Sequence, residues 1–224
     1  MTTEEIKKEE EVIKEKKEIE NVSSELGNSY SNGESFLLAQ RVAKALSTST
    51  IIPVAYQNNM PNCLIALEMS QRLKLSPFIV MQNMYIVYGN PSWSSTFLIA
   101  QINSSKNFKG SLNFQLEGEV NTDSRTCTAW IKDKDGSALI GTPVSILMAK
   151  SEGWFGKKGS KWQTMPEQML RYRAAAFFAR LYCPEVTMGL QTSDEIVDVE
   201  FEPVESNKIN YDLGIKVPEQ ENLL

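Results

Sequence analysis

Apolar positions along the middle of the chain change from a helical period to a strand-like one and back. Phe36 to Leu46 (FLLAQRVAKAL) places them three and four apart, as an amphipathic helix does, and Ser35 is a residue type that caps one. After an irregular stretch with Pro53 and Pro61, Asn62 is expected to cap a second such helix that runs to Leu73 and closes at Leu75-Ser76-Pro77-Phe78. Met84 to Tyr88 (MYIVY) reads as a strand, ended by a turn at Gly89-Asn90-Pro91. A third helix is predicted from Ser94 to Ser104. Ser111 to Glu117 and Ser124 to Lys132 alternate as strands do, Asp135-Gly136 signals a hairpin, and Ala138 to Ile140 begins the returning strand.

Thr142-Pro143 then opens a short helix to about Ser151, and Gly153, Gly156 and Gly159 punctuate a basic loop. Pro166 suits a first helical position, Pro184 suits a stop, and the run between them is rich in Ala, Leu and Met. At about 100° per residue, Leu170, Ala174, Phe177 and Leu181 form one stripe, expected to face the core. The whole order predicts an α+β fold: a small antiparallel β-meander packed with helices, flanked by charged flexible termini.

Residues 2–20 are almost wholly Glu and Lys with scattered Ile and Val. Pairs such as Glu4–Lys8 support a helix, but the apolar residues are too sparse for a coiled-coil seam. Residues 21–33 form a linker of Ser, Asn and Gly. The organisation expected is a charged arm and linker over 1–33, a core over 34–195, and a mobile acidic tail over 196–224.

Net charge is −5, but it is unevenly spread. Residues 1–33 hold 5 Lys/Arg against 9 Asp/Glu, and residues 194–224 hold 2 against 9, which leaves 16 against 10 for residues 34–193. A basic body between two acidic ends describes the chain better than the total, and the acidic ends either screen the basic surface from wrong partners or keep the protein soluble.

Histidine is absent, which removes the commonest general base and metal ligand. Cys63, Cys127 and Cys183 are widely spaced and odd in number, so they read as buried thiols in a reducing compartment rather than as disulfides or a zinc site. A charged N-terminus and no apolar run near about 20 residues long imply neither a secretory leader nor a membrane span, hence a cytoplasmic protein. The glycines and lysines of 153–161 do not match a phosphate-binding loop, so no ATP requirement is expected, and Mg²⁺ is not read as a protein-bound ligand. Glu117, Glu119, Asp123, Asp133 and Asp135 could form an acidic cluster for metal-dependent phosphodiester cleavage, but Asp133 to Gly136 also suits a turn for backbone reasons.

The most informative stretch runs from Trp154 to Pro184. Trp154 and Trp162 are interleaved with Lys157, Lys158 and Lys161, and the helix beyond carries Arg171, Arg173 and Arg180; residues 150–180 hold 7 Lys/Arg against 2 Asp/Glu. Cations next to aromatic rings suit an unstacked nucleic-acid strand, since the cations neutralise phosphates and flat side chains accept base faces. Arg173 and Arg180, seven apart, share a stripe with the small Ala176 between them, where a backbone could come close; the alternative is that Arg171, Arg173 and Arg180 are solvated or paired with carboxylates. Trp154, Phe155 and Trp162 either stack on bases or pack the loop on the helix, and for Trp162 packing is the expected role. Lys150 and Trp93 are further candidates.

The block WQTMPEQMLRYRAAAFFARL resembles the signature of phage-type single-strand annealing recombinases, the RecT/Redβ family, through Trp162, Pro166, Met169, Leu170, Arg171, Arg173, Ala174 and Arg180. Arg72 to Phe78 and the segment from Gly89 to Trp93 with Phe97 to Phe108 are similar to two further family segments. The resemblance covers about residues 36–195. It implies ATP-independent binding and annealing of single-stranded DNA through an annealed duplex intermediate. It further implies rings or helical filaments of the protein, an exonuclease partner and contact with a host single-strand-binding protein. It assigns phosphate contacts to Arg173 and Arg180. Glu167 departs from the family, which can have Lys there; Lys157, Lys158 or Lys161 are expected to substitute. A separate C-terminal partner-binding domain is not evident. Two other readings remain open at this point, a passive strand-coating module and a metal-dependent nuclease.

Overall fold

A computed structural model of the chain describes residues 33–198. The charged arm and the acidic tail expected from the sequence therefore lie outside the described residues, apart from Gly33 and residues 196–198. Those last three are not tail-like: they complete a helix, and Ile196 and Asp198 are buried in it.

Helix α1 (Gly33–Ser47) lies against α2 (Met60–Leu73), with Ala39 and Ala43 fully buried. Ser35, expected as a cap, is instead buried within the first turn of α1. The cap of α2 also moves. Asn59 Oδ1 accepts a hydrogen bond from Asn62 N at 3.1 Å, so Asn62 is a helix residue rather than the cap. Pro61 is accommodated because a first-turn N–H has no helical partner to lose. Lys74 ends α2 in the left-handed conformation (φ 54°, ψ 41°). Pro77, read as a stop, then starts a new helix, α3 (Pro77–Asn83).

β1 (Met84–Val87) turns through Tyr88 and Gly89, both at positive φ, into β2 (Asn90–Trp93). Pro91, expected in the turn, sits in β2 opposite Ile86. A two-stranded ribbon is all edge, so it tolerates the missing donor. Tyr56 donates its hydroxyl to Met84 O at 2.7 Å and ties this hairpin to α1–α3.

Helix α4 (Ser95–Ser104) is capped as expected by Ser94, whose Oγ accepts from Phe97 N at 3.1 Å. The meander comes next: β3 (Phe108–Glu117), β4 (Thr126–Asp133) and β5 (Ala138–Ile140). β4 is central, with β3 on one side and β5 on the other; β6 (Val144–Ser145) extends the β5 side where the short α5 (Ile146–Ser151) was expected to have begun. Alternation along β4 puts Cys127, Ala129 and Ile131 on one fully buried face, and helix α7 (Pro166–Tyr182) covers it.

α7 matches its predicted limits but not its predicted face. Leu170 and Ala174 are fully buried, yet Phe177 is only half-buried and Leu181 is 58 % exposed. Phe178 and Ala179 are fully buried in their place. The buried arc is wide because α7 meets β4 on one side and α4 on another. It therefore follows the i, i+4, i+8 row Leu170–Ala174–Phe178, flanked by Ala175 and Ala179. Burial of a side chain like that of Phe178 contributes about 1.5–3 kcal/mol. Gly141 lets the sheet approach this closely: a Cβ there would stand 3.1 Å from Ala129 O and 3.3 Å from the Phe178 ring.

Three short helices complete the fold: α6 (Lys161–Thr164) before α7, then α8 (Pro184–Thr187) and α9 (Ser193–Asp198). Trp93 links the last segment to the hairpin. Its backbone N donates to Gln191 O at 2.9 Å and its indole N–H to Thr187 O at 3.1 Å. Thr192 and Glu195 form a reciprocal cap: Glu195 Oε2 accepts from Thr192 N (2.9 Å) and Oγ1 (3.1 Å), and Thr192 O accepts from Glu195 N (3.0 Å).

Candidate nucleic-acid interface

The basic stretch divides in two once folded. Its arginine half is engaged in ion pairs. Arg173 is 6 % exposed, and α9 lies over it. Its guanidinium pairs with Asp198 Oδ2 and stands 3.9 Å from Glu195 Oε1. The same guanidinium carbon lies 3.8 Å from the centre of the Trp154 ring. Trp154 in turn lies against Trp162, ring centres 5.6 Å apart, and Trp162 donates its indole N–H to Asp198 Oδ2 at 2.8 Å. Trp154 (8 % exposed) and Trp162 (0 %) are therefore packed around an ion pair.

Burial is the first influence on both partners of that pair. It pulls the Arg173 guanidinium below its ordinary value, partly offset by Glu195 and Asp198. It pushes the Asp198 carboxyl up, opposed by the Trp162 N–H and by Arg173. Each ion is costly to bury alone, so the pair holds only as a pair.

Arg180 is more open but also engaged, with Glu195. Ala176, expected to admit a nucleic-acid backbone between the two arginines, is 1 % exposed and part of the core. Arg171 reaches back along its own helix to Glu167, donating to the backbone O at 3.2 Å with the carboxylate 3.7 Å away. Glu167 also accepts from Arg125 Nε at 3.0 Å, so the position where the family can have Lys is here a carboxylate bridging two arginines. Lys150 pairs with Asp123 and lies 5.3 Å from the Phe155 ring centre, away from the lysines of the glycine loop. Trp93, another candidate, is 1 % exposed.

The lysine half is open. Lys157, Lys158 and Lys161 line a groove of about 1370 Å³. Turns in the 153–160 loop, with Gly153 and Gly159 at positive φ, carry them there. Ser160 fixes the end of the loop: its Oγ donates to Trp154 O at 2.7 Å and accepts from Trp162 N at 3.3 Å, which starts α6. The β1 hairpin lines the same groove, with Tyr85 (49 % exposed) and Tyr88 (63 % exposed). Ser95, Met169, Tyr172, Asp194 and Asp198 also line it. Asp194 is held in place, accepting from Ser95 Oγ at 2.8 Å and lying 3.6 Å from Lys161 Nζ. Lys157 Nζ donates to Val197 O at 3.1 Å.

The tyrosines and the three acidic residues of α9 are the parts of this arrangement that sequence reasoning did not single out. Two signals for them exist. Alternation in MYIVY puts Tyr85 on the face opposite buried Met84. Thr192-x-x-Glu195 is a capping-box pattern, which announces a helix where a tail was expected.

Asp133 performs its turn role, its Oδ1 accepting from Asp135 N at 2.9 Å and Ser137 N at 3.0 Å. Among the described residues no three His, Cys, Asp or Glu side chains are grouped to hold a metal ion, and no helix is long and apolar enough to cross a membrane.

An α+β body with an open groove lined by both cations and exposed aromatic rings has the form of a single-strand nucleic-acid binder. The model of the RecT family matches residues 43–208, more than half of the chain, and the chain belongs to that family. Membership places it among DNA-recombination proteins that bind single-stranded DNA and act by annealing. No curated protein and no solved structure matches the chain.

Proposed function

We propose that this protein anneals complementary DNA strands without nucleotide hydrolysis and that the groove holds the strand. The observation that carries this reading is that Lys157, Lys158 and Lys161 line one open groove together with the hairpin bearing exposed Tyr85 and Tyr88. Phosphates lie along the lysines and bases lean on the tyrosines. Asp194 and Asp198, which line the same groove, repel phosphate and so keep the backbone on the lysines.

Annealing makes and breaks no covalent bond. Two polyanions are brought together with their bases accessible, and the second strand, not the protein, reads the sequence. Contacts to the backbone therefore dominate. Several copies of the protein in a row extend the cationic rim and lower the repulsion between two backbones. The strand comes from an exonuclease, the host's own single-strand-binding protein is displaced, and the setting is the bacterial cytoplasm. In this reading Arg171, Arg173 and Arg180 act from behind the groove. Arg173 and Arg180 hold α9, and Arg171 holds the first turn of α7.

The test mixes two complementary labelled oligonucleotides with the protein, without nucleotide, with and without Mg²⁺. The readouts are the pairing rate and a gel for strand integrity. Faster pairing of intact strands is expected. Binding without faster pairing makes the protein a strand-coating module, shortened strands make it a nuclease, and no binding removes the groove as a DNA site.

A further inference from the structure

The strand register groups a second set of cations and an aromatic ring on the outer face of the meander. Cys127, Ala129 and Ile131 of β4 turn toward α7, so the alternate positions of the sheet face away from it. Directly opposite residues share a face, which gives two neighbouring rows, Lys109–Lys132–Ala138 and Asn113–Trp130–Ile140. Lys109, Asn113, Lys132, Ala138 and Ile140 are exposed and Trp130 is half-buried. None of these residues lines the groove; α7, which contributes Met169 and Tyr172 to the groove, covers the opposite face of the sheet.

Two features set this face apart. Trp93, Trp154 and Trp162 are buried, whereas Trp130, the fourth tryptophan, sits on a solvated sheet face without a ring partner among the described residues. Lys109 and Lys132 stand directly opposite each other, an arrangement that destabilises a sheet by like-charge repulsion. Neither they nor Lys106 and Lys134, just beyond the same strand ends, pair with a carboxylate among the described residues. Asp133 is taken up by its turn, and Glu117, at the far end of β3, accepts from Gln115 Nε2 at 2.7 Å. Asp135 is exposed in the same turn, so four lysines outweigh two acids at this end of the sheet.

A single strand of DNA accounts for both features. Trp130 and Lys132 are two positions apart on β4, about 6.6–6.8 Å, a span that one nucleotide bridges between its base and its phosphate. A phosphate shared by Lys109 and Lys132 converts their mutual repulsion into attraction for one anion. A base then rests on the indole, flanked by Asn113 and Ile140, as bases rest on the aromatic rings of other open sheet faces.

We propose that this face is a second surface for single-stranded DNA, separate from the groove, and that it holds the strand to be paired while the first strand occupies the groove. The surface stands on the sheet register; its part in annealing rests on the reading of the groove as the first strand's site. Placing two polyanions on different sides of α7 avoids the repulsion that two backbones in one groove meet.

The experiment titrates oligothymidylate into the full chain and into its Lys109→Gln/Lys132→Gln and Trp130→Leu variants. Tryptophan emission reports the sheet face, because a stacked base quenches the solvated Trp130 and not the three buried rings. The anisotropy of a labelled strand reports total binding, and two complementary strands report the pairing rate.

The parent is expected to be quenched by DNA and Trp130→Leu is not. In the lysine variant the quenching weakens, with a salt slope lower by about 1.4, two phosphates at about 0.7 each. Its urea midpoint stays level or rises, since a like-charge pair is removed, whereas a merely structural role would lower it. Pairing slows in both variants. An unquenched parent that still binds the labelled strand overturns the proposal and leaves the groove reading standing. Quenching with an unchanged salt slope in the lysine variant also overturns it. So does emission that changes with protein concentration in the absence of DNA, which assigns the face to a second copy. An unchanged pairing rate in both variants overturns the second-strand role. If Lys157→Ala/Lys158→Ala/Lys161→Ala keeps both its quenching and its total affinity, the sheet surface is upheld and the groove reading fails.

Discussion

Arg173 and Lys161 lie twelve positions apart in one basic stretch and carry the same charge, yet they occupy opposite situations. Arg173 is 6 % exposed, stacked on Trp154 and paired with Asp198. The side chain of Lys161 is 60 % exposed on the groove rim, with Asp194 3.6 Å away. A guanidinium is planar, weakly hydrated and able to stack, which suits burial between a ring and a carboxylate; an ammonium keeps its water and stays at the rim. The basic stretch thus combines an internal clasp with an external cationic rim.

The largest effect that can test this division is on stability. Asp198→Ala leaves the Arg173 charge buried without its closest partner and is expected to cost about 3–5 kcal/mol, read from urea unfolding followed by tryptophan fluorescence. A loss below about 1 kcal/mol would show the clasp to be no stronger than a surface pair.

Next comes binding. Replacing Lys157, Lys158 and Lys161 by Ala should leave stability within about 0.5 kcal/mol of the parent. The slope of log affinity against log salt should fall by about 0.7 for each phosphate of the single strand that is no longer neutralised. An unchanged slope would move the strand elsewhere. Tyr85→Ala tests the aromatic lining separately. It should weaken binding by about 1–3 kcal/mol per stacked base while the salt slope stays put.

Arg180→Ala is a smaller perturbation, because the side chain is 40 % exposed and its pair with Glu195 is partly solvated. It should cost about 1 kcal/mol of stability or less and leave the salt slope unchanged. A flatter slope would return Arg180 to the phosphate contacts implied by the family resemblance.

The smallest effect concerns the core behind both regions. Burial pushes the Cys127 thiol up to about 11 and the Cys183 thiol up to about 12, from an ordinary 9.0. A thiol whose value is raised in the folded state favours folding fully below about pH 9, and that contribution is lost as pH rises through 11 to 12. The unfolding midpoint should therefore fall over this range. At pH 8 alkylation should be slow in the native protein and fast in urea.

The sequence revealed much of the scaffold. Pro166 and Pro184 delimit α7 because one lacks a donor the first turn does not need and the other cannot continue the helix. Ser94 caps α4, and the alternating runs became β3 and β4 with the expected turn between β4 and β5. Local rules failed where two residue types could serve equally: Asn59 rather than Asn62 caps α2, and Pro77 starts a helix instead of ending one. Of the candidate site, the lysine loop was legible and the tyrosine wall was half legible through its alternation.

By itself, then, the sequence determined the α+β element order, the concentration of positive charge between Lys150 and Arg180, and the family signature within it. Only the tertiary structure decided which cations face outward. Charge and helical period are local properties, whereas burial depends on which distant segment covers a residue. Asp198 is 25 positions from Arg173, and no spacing along the chain announces that pairing. The fold brings Asp198 there because Trp93 and Thr192 join the C-terminal segment to the hairpin, which lays the acidic α9 over the arginines and leaves the lysines on the rim.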